Sequence, residues 1–558
     1  LTADEIVGAP SERVTLVDRL EDAASTGGGR VVFHLDGGAV RVGARDIYDM
    51  ARIRAARLRE AGVGPGDRVG VLGPNRPEWL AWAHATWMRG AAVVPLPMPL
   101  RIRDRDAVTH QIDSLARGFG CLRVAAHERV VPLVAGDLLI AWDDVGSIDD
   151  ALSSEQLIRL DDDSPALITA TSGSTAAPKG VRRSFRRENP RSLKWWMGRT
   201  GEPEPRYLTY GPLSHAASSV ALSALFEPWL EIHMLVPERF AREPGELFRI
   251  VGPHQITQLT GASSGFAAAL RSIERRPVGV DLSSLREVTF GLEMIDPAVV
   301  ERLYETGGRF GLDRLAVRTY YGLSEGGGTR TPAGQQVRID DVDLEALVTL
   351  GVAQGPRDGA LVKRVVSCGV EKECEVRIAG PDGTALPERR VGEVQFRGPG
   401  MMQGYEGPGA HEAFVDDGWM VTGDIGYIAD GELFITGRIK EVMVQQGKKY
   451  HPEDIEWAAA RGAEVAPDQC VAFVPLDTAD GDGQVVLAIE TERIDDTVAL
   501  EQRVRATVRN TVGISVHTIL FVPPASLPKA SNGKSQRIAA RDQYASGQLV
   551  PSAPSTSR

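Results

Sequence analysis

The sequence predicts an α/β protein: a large N-terminal domain of layered α/β subdomains with a small β unit, followed by a small α+β C-terminal domain. Three observations carry that expectation. Strand-like and helix-like segments alternate up to about residue 321; short strands punctuated by Gly and Pro begin near Glu375; a third pattern begins after Arg438. A chain of 558 residues is also too long for one core.

The elements are read in order. Ile47, Met50, Ala51, Leu58 and Ala61 form a helical stripe that stops at Gly62, a residue suited to a C-terminal cap. A strand is expected at 69–72, a helix from about 78 to 89, and a strand near 93–95. Trp79, Trp82, Ala83 and Trp87 lie at helical spacing and are assigned to the core rather than to a cofactor. The apolar run 166–170 reads as a buried strand. Helix 218–229 then precedes strand 232–236, and strand 288–290 precedes helix 297–306 and strand 317–321. Strands alternating with helices imply largely parallel sheets. Short strands at 376–378, 394–396 and 432–435 make a small antiparallel unit. Beyond Arg438 come a helix at 455–461, strands at 470–474 and 485–489, and an amphipathic helix carrying Leu500, Val504 and Val508. The boundary falls between Gly437 and Lys440. It divides an N-terminal core, 1–437, from a C-terminal domain, 438–545, with a Ser/Pro-rich tail, 546–558, expected to be disordered.

Composition narrows the function. Apolar residues make up 42% and charged residues 25%, as in ordinary globular proteins, and the net charge of −12 argues against a nucleic-acid partner. Arg182, Arg183, Arg186, Arg187, Arg191 and Lys194 form a local basic run, read as a solvated face. Cys121, Cys368, Cys374 and Cys470 contain no C-x-x-C, so neither a zinc site nor a disulfide framework is indicated. The stretch 79–100 is broken by His84, Arg89 and three prolines, and no segment spans a bilayer. A cytoplasmic location is expected.

The chemistry centres on TSGSTAAPKGV, residues 171–181. Thr171, Ser172, Ser174 and Thr175 supply hydroxyls, Gly173 and Gly180 expose backbone N–H groups, and Lys179 adds an ammonium, directly after a buried strand. That set suits the oxygens of a polyphosphate. It is not the triphosphatase loop G-x-x-x-x-G-K-[ST]; the one Gly-Lys-Ser, at 533–535, has Pro528 where the first glycine belongs. Companions lie far along the chain. VRTYYGLSE, 317–325, offers aromatics to stack on a purine and Glu325 to hold Mg²⁺. TGD, 422–424, supplies Asp424 for a ribose diol, GRIK spans 437–440, and LPKASNGKSQR, 527–537, places Lys534 in a Gly-flanked loop. Each alone is a common turn; in this order and spacing they are hard to dismiss.

Over essentially its whole length the sequence resembles the adenylate-forming superfamily of acyl-CoA synthetases, luciferases and peptide-synthetase adenylation domains, and within it the fatty acyl-AMP ligases. GLEM, with Gly291, Leu292 and Glu293, is similar to that family's GAEP. Tyr320, Tyr321, Gly322, Ser324 and Glu325 match its YGLAE motif. Residues 338–369 look like its extra segment, and GRIKEVMVQQGKKYHPEDIE is close to its GRIKD…GRNHYPQDIE. The resemblance implies ATP and Mg²⁺, a hydrophobic carboxylic acid, and an acyl-AMP passed to a carrier-protein pantetheine or to CoA, the extra segment being associated with restricted use of free CoA. It implies that Thr171, Ser172, Gly173, Ser174, Thr175 and Lys179 cradle the phosphates and that Glu325 holds the metal. Gly291, Leu292, Glu293, Tyr320, Tyr321, Gly322, Ser324 and Ile435 line the adenine site, and Asp424 and Arg438 hold the ribose. It further implies that His215 sits near the acyl entrance, that Lys440 is the hinge of a mobile C-terminal lid, and that Lys534 is the catalytic lysine.

The sequence departs from that pattern in places. Ala176 replaces a glycine of the phosphate loop, at a cost of about 1 kcal/mol if that position needs a positive φ. PLSHAAS, 212–218, keeps the histidine of PLxHDxG but has Ala216 and Ser218 for its aspartate and glycine. Two other readings stand beside the carrier-directed ligase: a complete acyl-CoA synthetase, and a nucleotide-binding homologue without turnover. The second rests on Ala176 alone and is opposed by Glu325, Asp424 and Lys534.

Overall fold

The computed structural model describes residues 15–99, 102, 105–161, 163–170, 179–184, 203–371, 374–398, 401–475, 483–491, 496–529 and 535–551. Two large sheets form the N-terminal part. In one, strands Val317–Gly322, Glu287–Phe290, Gln258–Gly261, Arg206–Thr209, Glu231–Leu235 and Arg30–Leu35 run parallel in that spatial order, with antiparallel strands at both edges. In the other, Pro165–Ala170, Ala92–Pro95, Arg68–Leu72, Arg123–Ala126 and Leu139–Ala141 are parallel. Antiparallel strands Gly180–Ser184 and Tyr405–Glu406 extend that sheet. The parallel α/β layering expected from the alternation is thus present.

Helix Pro77–Met88 is buried on every side. Trp79, Trp82 and Trp87 share one core with Val31 and Phe33 of the first sheet and Val69 and Val93 of the second. Helix Ala44–Glu60 ends where the sequence indicates: Gly62 takes φ +83° and its N–H bonds to Arg59 O. Two helices differ from expectation. The segment expected as helix 218–229 is helical only over Val220–Ala224: Pro228 has no N–H to give the Ala224 carbonyl, and the carbonyl of Leu225 accepts the Gly29 N–H at 3.1 Å. Gly29 comes so near that a Cβ there would lie 2.1 Å from Ala224 O. Helix Pro297–Arg302, capped by Asp296, gives way to a wider π turn over Leu303–Gly307.

Strands Glu375–Ala379, Gly392–Arg397, Trp419–Ala429, Glu432–Arg438 and Phe414–Val415 form the small antiparallel sheet. Its inward residues Ile378, Val394, Phe396 and Met420 join the core beneath Val288 and Val317. Beyond Arg438, strands Cys470–Phe473, Val485–Glu490 and Val516–Val522 make a three-stranded sheet. Alternation sorts its side chains: Cys470 and Ala472 face helices Pro452–Ala463 and Thr497–Val512, while Val471 and Phe473 pack on Ala540 and Leu549. Leu549 therefore corrects part of the expected tail: it is buried, and its N–H bonds to Gln543 O. Residues 552–558 lie outside the described residues. No helix among the described residues is long and apolar enough to cross a membrane.

Candidate active site

The parallel strands of the first sheet end together at Thr209, Gly261, Phe290 and Gly322, and the residues just past them form one wall. Ligands of open α/β sheets gather at such carboxyl ends. Gly291 N–H bonds to Gly261 O at 3.1 Å, and a Cβ on Gly291 would meet Tyr320 O at 3.0 Å. Leu292 adopts φ +71°, a left-handed conformation that costs a non-glycine residue about 1 kcal/mol or more. Glu293 Oε1 accepts the Ser264 N–H at 2.6 Å, at the start of helix Ser263–Arg275. The Tyr210 hydroxyl accepts the Ala262 N–H at 2.9 Å, and its ring stacks on Phe240.

Across from this wall stands Asp424. The register of the small sheet sets Asp424 directly opposite Arg438. Arg438 Nε donates to one carboxylate oxygen at 3.1 Å and the Tyr321 hydroxyl donates to the other at 2.6 Å. The TGD turn holds the carboxylate in place: Thr422 Oγ1 accepts the Asp424 N–H and donates to Val394 O, and Gly423 turns at φ +74°. Asp424 is buried, and burial pushes its carboxyl upward despite Arg438 and Tyr321, which pull it down. Burial and the neighbouring carboxylate raise the Tyr321 phenol, so it stays a donor at neutral pH; its ring packs on Phe396, 5.9 Å between centroids. Ile435, on the strand carrying Arg438, is buried in the core beneath.

Glu325 sits at the tip of the hairpin that joins Val317–Gly322 to Gly328–Arg330, where Gly326 and Gly327 take φ +118° and +75°. Its backbone carbonyl accepts the Met402 N–H at 2.6 Å and its Oε1 accepts the Tyr405 hydroxyl at 2.7 Å. The Tyr405 ring carries the Lys179 ammonium 4.0 Å above its centroid. Burial lowers the Lys179 ammonium, Glu325 opposes that shift, and Lys440 and Arg438 add to it. Lys179, Glu325, Arg438 and Lys440 thus share one electrostatic neighbourhood. The strand pair Tyr405↔Val181 and Glu406↔Gly180 fixes Tyr405 beside Lys179, and a Cβ on Gly180 would lie 2.6 Å from the Ile168 side chain. Gly322 and Gly328 flank Tyr320: a Cβ on the first would fall 2.1 Å from its hydroxyl. Ser324 is half-buried in the same hairpin.

Other expected site residues are placed differently or lie elsewhere. His215 caps the turn Ala216–Ser218, its Nδ1 accepting the Ala217 N–H at 3.2 Å. Arg183 of the basic run reaches Ser219 Oγ at 3.3 Å, and Arg182 lies 3.5 Å from Glu406. Thr171, Ser172, Gly173, Ser174, Thr175, Ala176 and Lys534 lie outside the described residues, as do Arg186, Arg187, Arg191 and Lys194. Tyr405 is the participant that sequence reasoning missed; its signal is a lone aromatic between Gly404 and Gly407, both with positive φ.

The link to the C-terminal part is built from two stretches. Lys440 is exposed in the turn Ile439–Glu441. Gly437, just before it, lies so close to the buried His451 that a Cβ would sit 1.9 Å from its Nδ1. The segment 338–369 contains the hairpin Ile339–Asp343/Val362–Val366 with helix Leu344–Leu350 between. Its Lys363 donates to Asp454 at 2.6 Å and to Thr436 O at 3.3 Å, Glu345 accepts from Lys448 at 2.6 Å, and Val348 packs on the C-terminal core.

Comparison with known proteins places these features in company. A family model described as "AMP-binding enzyme" matches residues 20–406, and one described as "Disco-interacting protein 2-like, AMP domain" matches residues 440–553. The chain is 27% identical to the long-chain-fatty-acid–AMP ligase FadD32 of Mycolicibacterium smegmatis, over 89% of this chain and 88% of that protein. It is 26% identical to the 4-hydroxyphenylalkanoate adenylyltransferase of Mycobacterium marinum, over 89% and 85%. Among solved structures, one from a study of fatty acyl-adenylate ligases of E. coli and L. pneumophila superposes with a TM-score of 0.85 at 25% identity, covering 96% of this chain and 98% of that one.

Proposed function

From the premise that the chain belongs to the AMP-binding enzyme family, we propose that it activates a hydrophobic carboxylic acid with ATP, forming acyl-AMP and pyrophosphate, and then passes the acyl group to a thiol. The observation that carries this reading is the buried carboxylate of Asp424, fixed between the Tyr321 hydroxyl and Arg438 Nε at the carboxyl ends of the parallel strands. Such a carboxylate accepts hydrogen bonds from a ribose diol. The Tyr321 ring beside this carboxylate is the aromatic face on which a flat base would stack.

In this reading the acid's carboxylate oxygen attacks the α-phosphorus in line, the bond to the β-phosphate oxygen breaks, and pyrophosphate leaves. The protein's part is positioning and charge neutralisation. Lys179, with the hydroxyls of Thr171, Ser172, Ser174 and Thr175, balances the β- and γ-phosphates. The hard carboxylate oxygens of Glu325, steadied by Tyr405, suit Mg²⁺, which when bound neutralises phosphate charge. Lys534 sets a point charge between the carboxylate and the α-phosphate. His215 borders the acyl entrance. Lys440 is the pivot between residues 1–437 and 438–545, and the enzyme works in the cytoplasm.

A carrier-protein pantetheine is the acceptor we favour over free CoA. Its support is the extra segment's hold on the C-terminal part through the buried Lys363–Asp454 pair, which any rotation about Lys440 strains. The relatives named for fatty-acid and 4-hydroxyphenylalkanoate adenylation point to long-chain or aryl acids.

Mass spectrometry of products from enzyme, ATP, Mg²⁺ and a panel of fatty and aryl acids, with CoA or a pantetheinylated carrier protein, tests the reading. Acyl-AMP and acyl-carrier without acyl-CoA supports it; acyl-CoA formation makes the chain a complete synthetase; no AMP ester from any acid removes it. Lys534→Ala should cut acid-dependent ATP–pyrophosphate exchange by about 100-fold or more while ATP binding stays near wild type. Unchanged exchange removes Lys534 from its role.

A further inference from the structure

Away from the nucleotide wall, three imidazoles meet where strands Arg30–Leu35 and Glu231–Leu235 pack against the short helix Val251–His254. The parallel register pairs Val32 with His233, so His34, two residues on, lies on the same face as His233 and diagonal to it. His34 Nε2 and His233 Nδ1 are 2.9 Å apart. His254 closes the group, its ring 4.8 Å from His34 and 5.0 Å from His233 between centroids. One nitrogen of each ring lies within 4.8 Å of the other two. We propose that His34, His233 and His254 form a binding site for a borderline divalent cation such as Zn²⁺, unrelated to the metal held with ATP.

The geometry suits a first-row cation. Zinc–nitrogen bonds of about 2.0–2.1 Å in a tetrahedral site space the ligating nitrogens about 3.4 Å apart. The trio reaches that spacing if the 2.9 Å pair opens by about half an ångström and the longer distance closes. His34 and His233 are buried, while His254 is half-buried and leaves a side from which an ion and a fourth ligand, water, enter.

The surroundings prepare the ligands. His233 Nε2 lies 2.9 Å from Glu231 Oε1, the arrangement in which a carboxylate takes the outer N–H and turns the other nitrogen's lone pair toward a metal. Three cations stand nearby: Arg41 and Arg206 share the same Glu231, at 3.2 and 4.0 Å, while Arg239 pairs with Glu246 and donates to Leu35 O. The competing arrangement is a metal-free hydrogen-bonded trio, which binds no ion.

The test is titration of the tag-free full chain, first stripped with a chelator, with Zn²⁺ by calorimetry and with Co²⁺ by visible absorption. The chain has 10 histidines, so a site-directed control is needed. One Zn²⁺ per chain, a tetrahedral Co²⁺ spectrum and a Tm rise of about 2–4 °C are expected. His254→Ala, at the half-exposed ligand, should abolish all three without changing ATP–pyrophosphate exchange. Glu231→Gln should weaken Zn²⁺ binding about 10–100-fold. Absence of stoichiometric binding, or binding untouched by His254→Ala, overturns the site.

Discussion

Two arginine–carboxylate clusters stand on either side of Lys440, and they are built to opposite ends. In the first, Arg438 meets the single carboxylate of Asp424; the arginine side chain is 51% exposed while the aspartate is buried. In the second, Arg537, 17% exposed, is enclosed by three carboxylates. It donates to Glu456 at 2.7 and 2.8 Å, lies 3.0 Å from Glu453, and pairs with Glu441. Glu456 also accepts the Ala472 N–H at 3.0 Å. Burial pulls Arg537 down, yet Glu453 and Glu456 outweigh it and hold the guanidinium charged; burial raises Glu441 and Glu456. The first cluster leaves its arginine facing outward; the second spends its capacity on itself. An arginine beside an acid therefore reads as a site or as a fastening according to which partner is left facing outward.

The comparison can be broken or sharpened by substitution. The largest stability effect belongs to the closed cluster. Arg537→Met strands buried carboxylates and should cost about 3–5 kcal/mol, read as a lower urea midpoint at unchanged m-value. A midpoint like wild type would mean that the enclosure is not a fastening.

Asp424→Asn should act the other way. Its folded carboxyl is raised, so the fold favours the protonated form, and the stability attached to that form is lost as pH rises through the folded value. The amide mimics the protonated form, so Tm should stay the same or rise at neutral pH. The KM for ATP should increase about tenfold or more through loss of a charged acceptor. Exchange by the wild-type enzyme should show an acid limb above the ordinary aspartate value of 3.8, and the variant should lose it. A large fall in Tm would make Asp424 a structural partner of Arg438 instead. The smallest effect is expected at Lys448→Gln: its pair with Glu345 is exposed and solvated, and the Tm should move within measurement error.

Much of this was legible in the sequence. Apolar runs located six of the parallel strands, and amphipathic spacing located helices Pro452–Ala463 and Thr497–Val512, while strands Arg30–Leu35, Arg123–Ala126, Leu139–Ala141, Arg206–Thr209 and Gln258–Gly261 and helix Arg537–Ala545 were not among the expected elements. Short motifs singled out Asp424, Arg438, Tyr321 and Glu325, and the structure brings the four side chains within one neighbourhood. What the sequence did not reveal depends on partners distant along the chain. Tyr405 meets Glu325 from 80 residues away, and Lys363 meets Asp454 from 91; the partner of each is not written beside it. The burial of Leu549 follows from a pocket made by Val471 and Phe473; the shortened helix at Val220–Ala224, by contrast, had a local signal in Pro228. Local pattern cannot report a distant neighbour.

Gly437 carries a consequence for mutational tolerance. With His451 Nδ1 standing where its Cβ would be, every other residue is excluded at 437 for as long as the two segments stay stacked as they are. If the C-terminal part turns about Lys440, His451 travels with it and the exclusion lapses. A saturation library at 437, selected for each half-reaction separately, would then act as a clock. The fraction of substitutions tolerated in each would report how much of the catalytic cycle is spent in this arrangement.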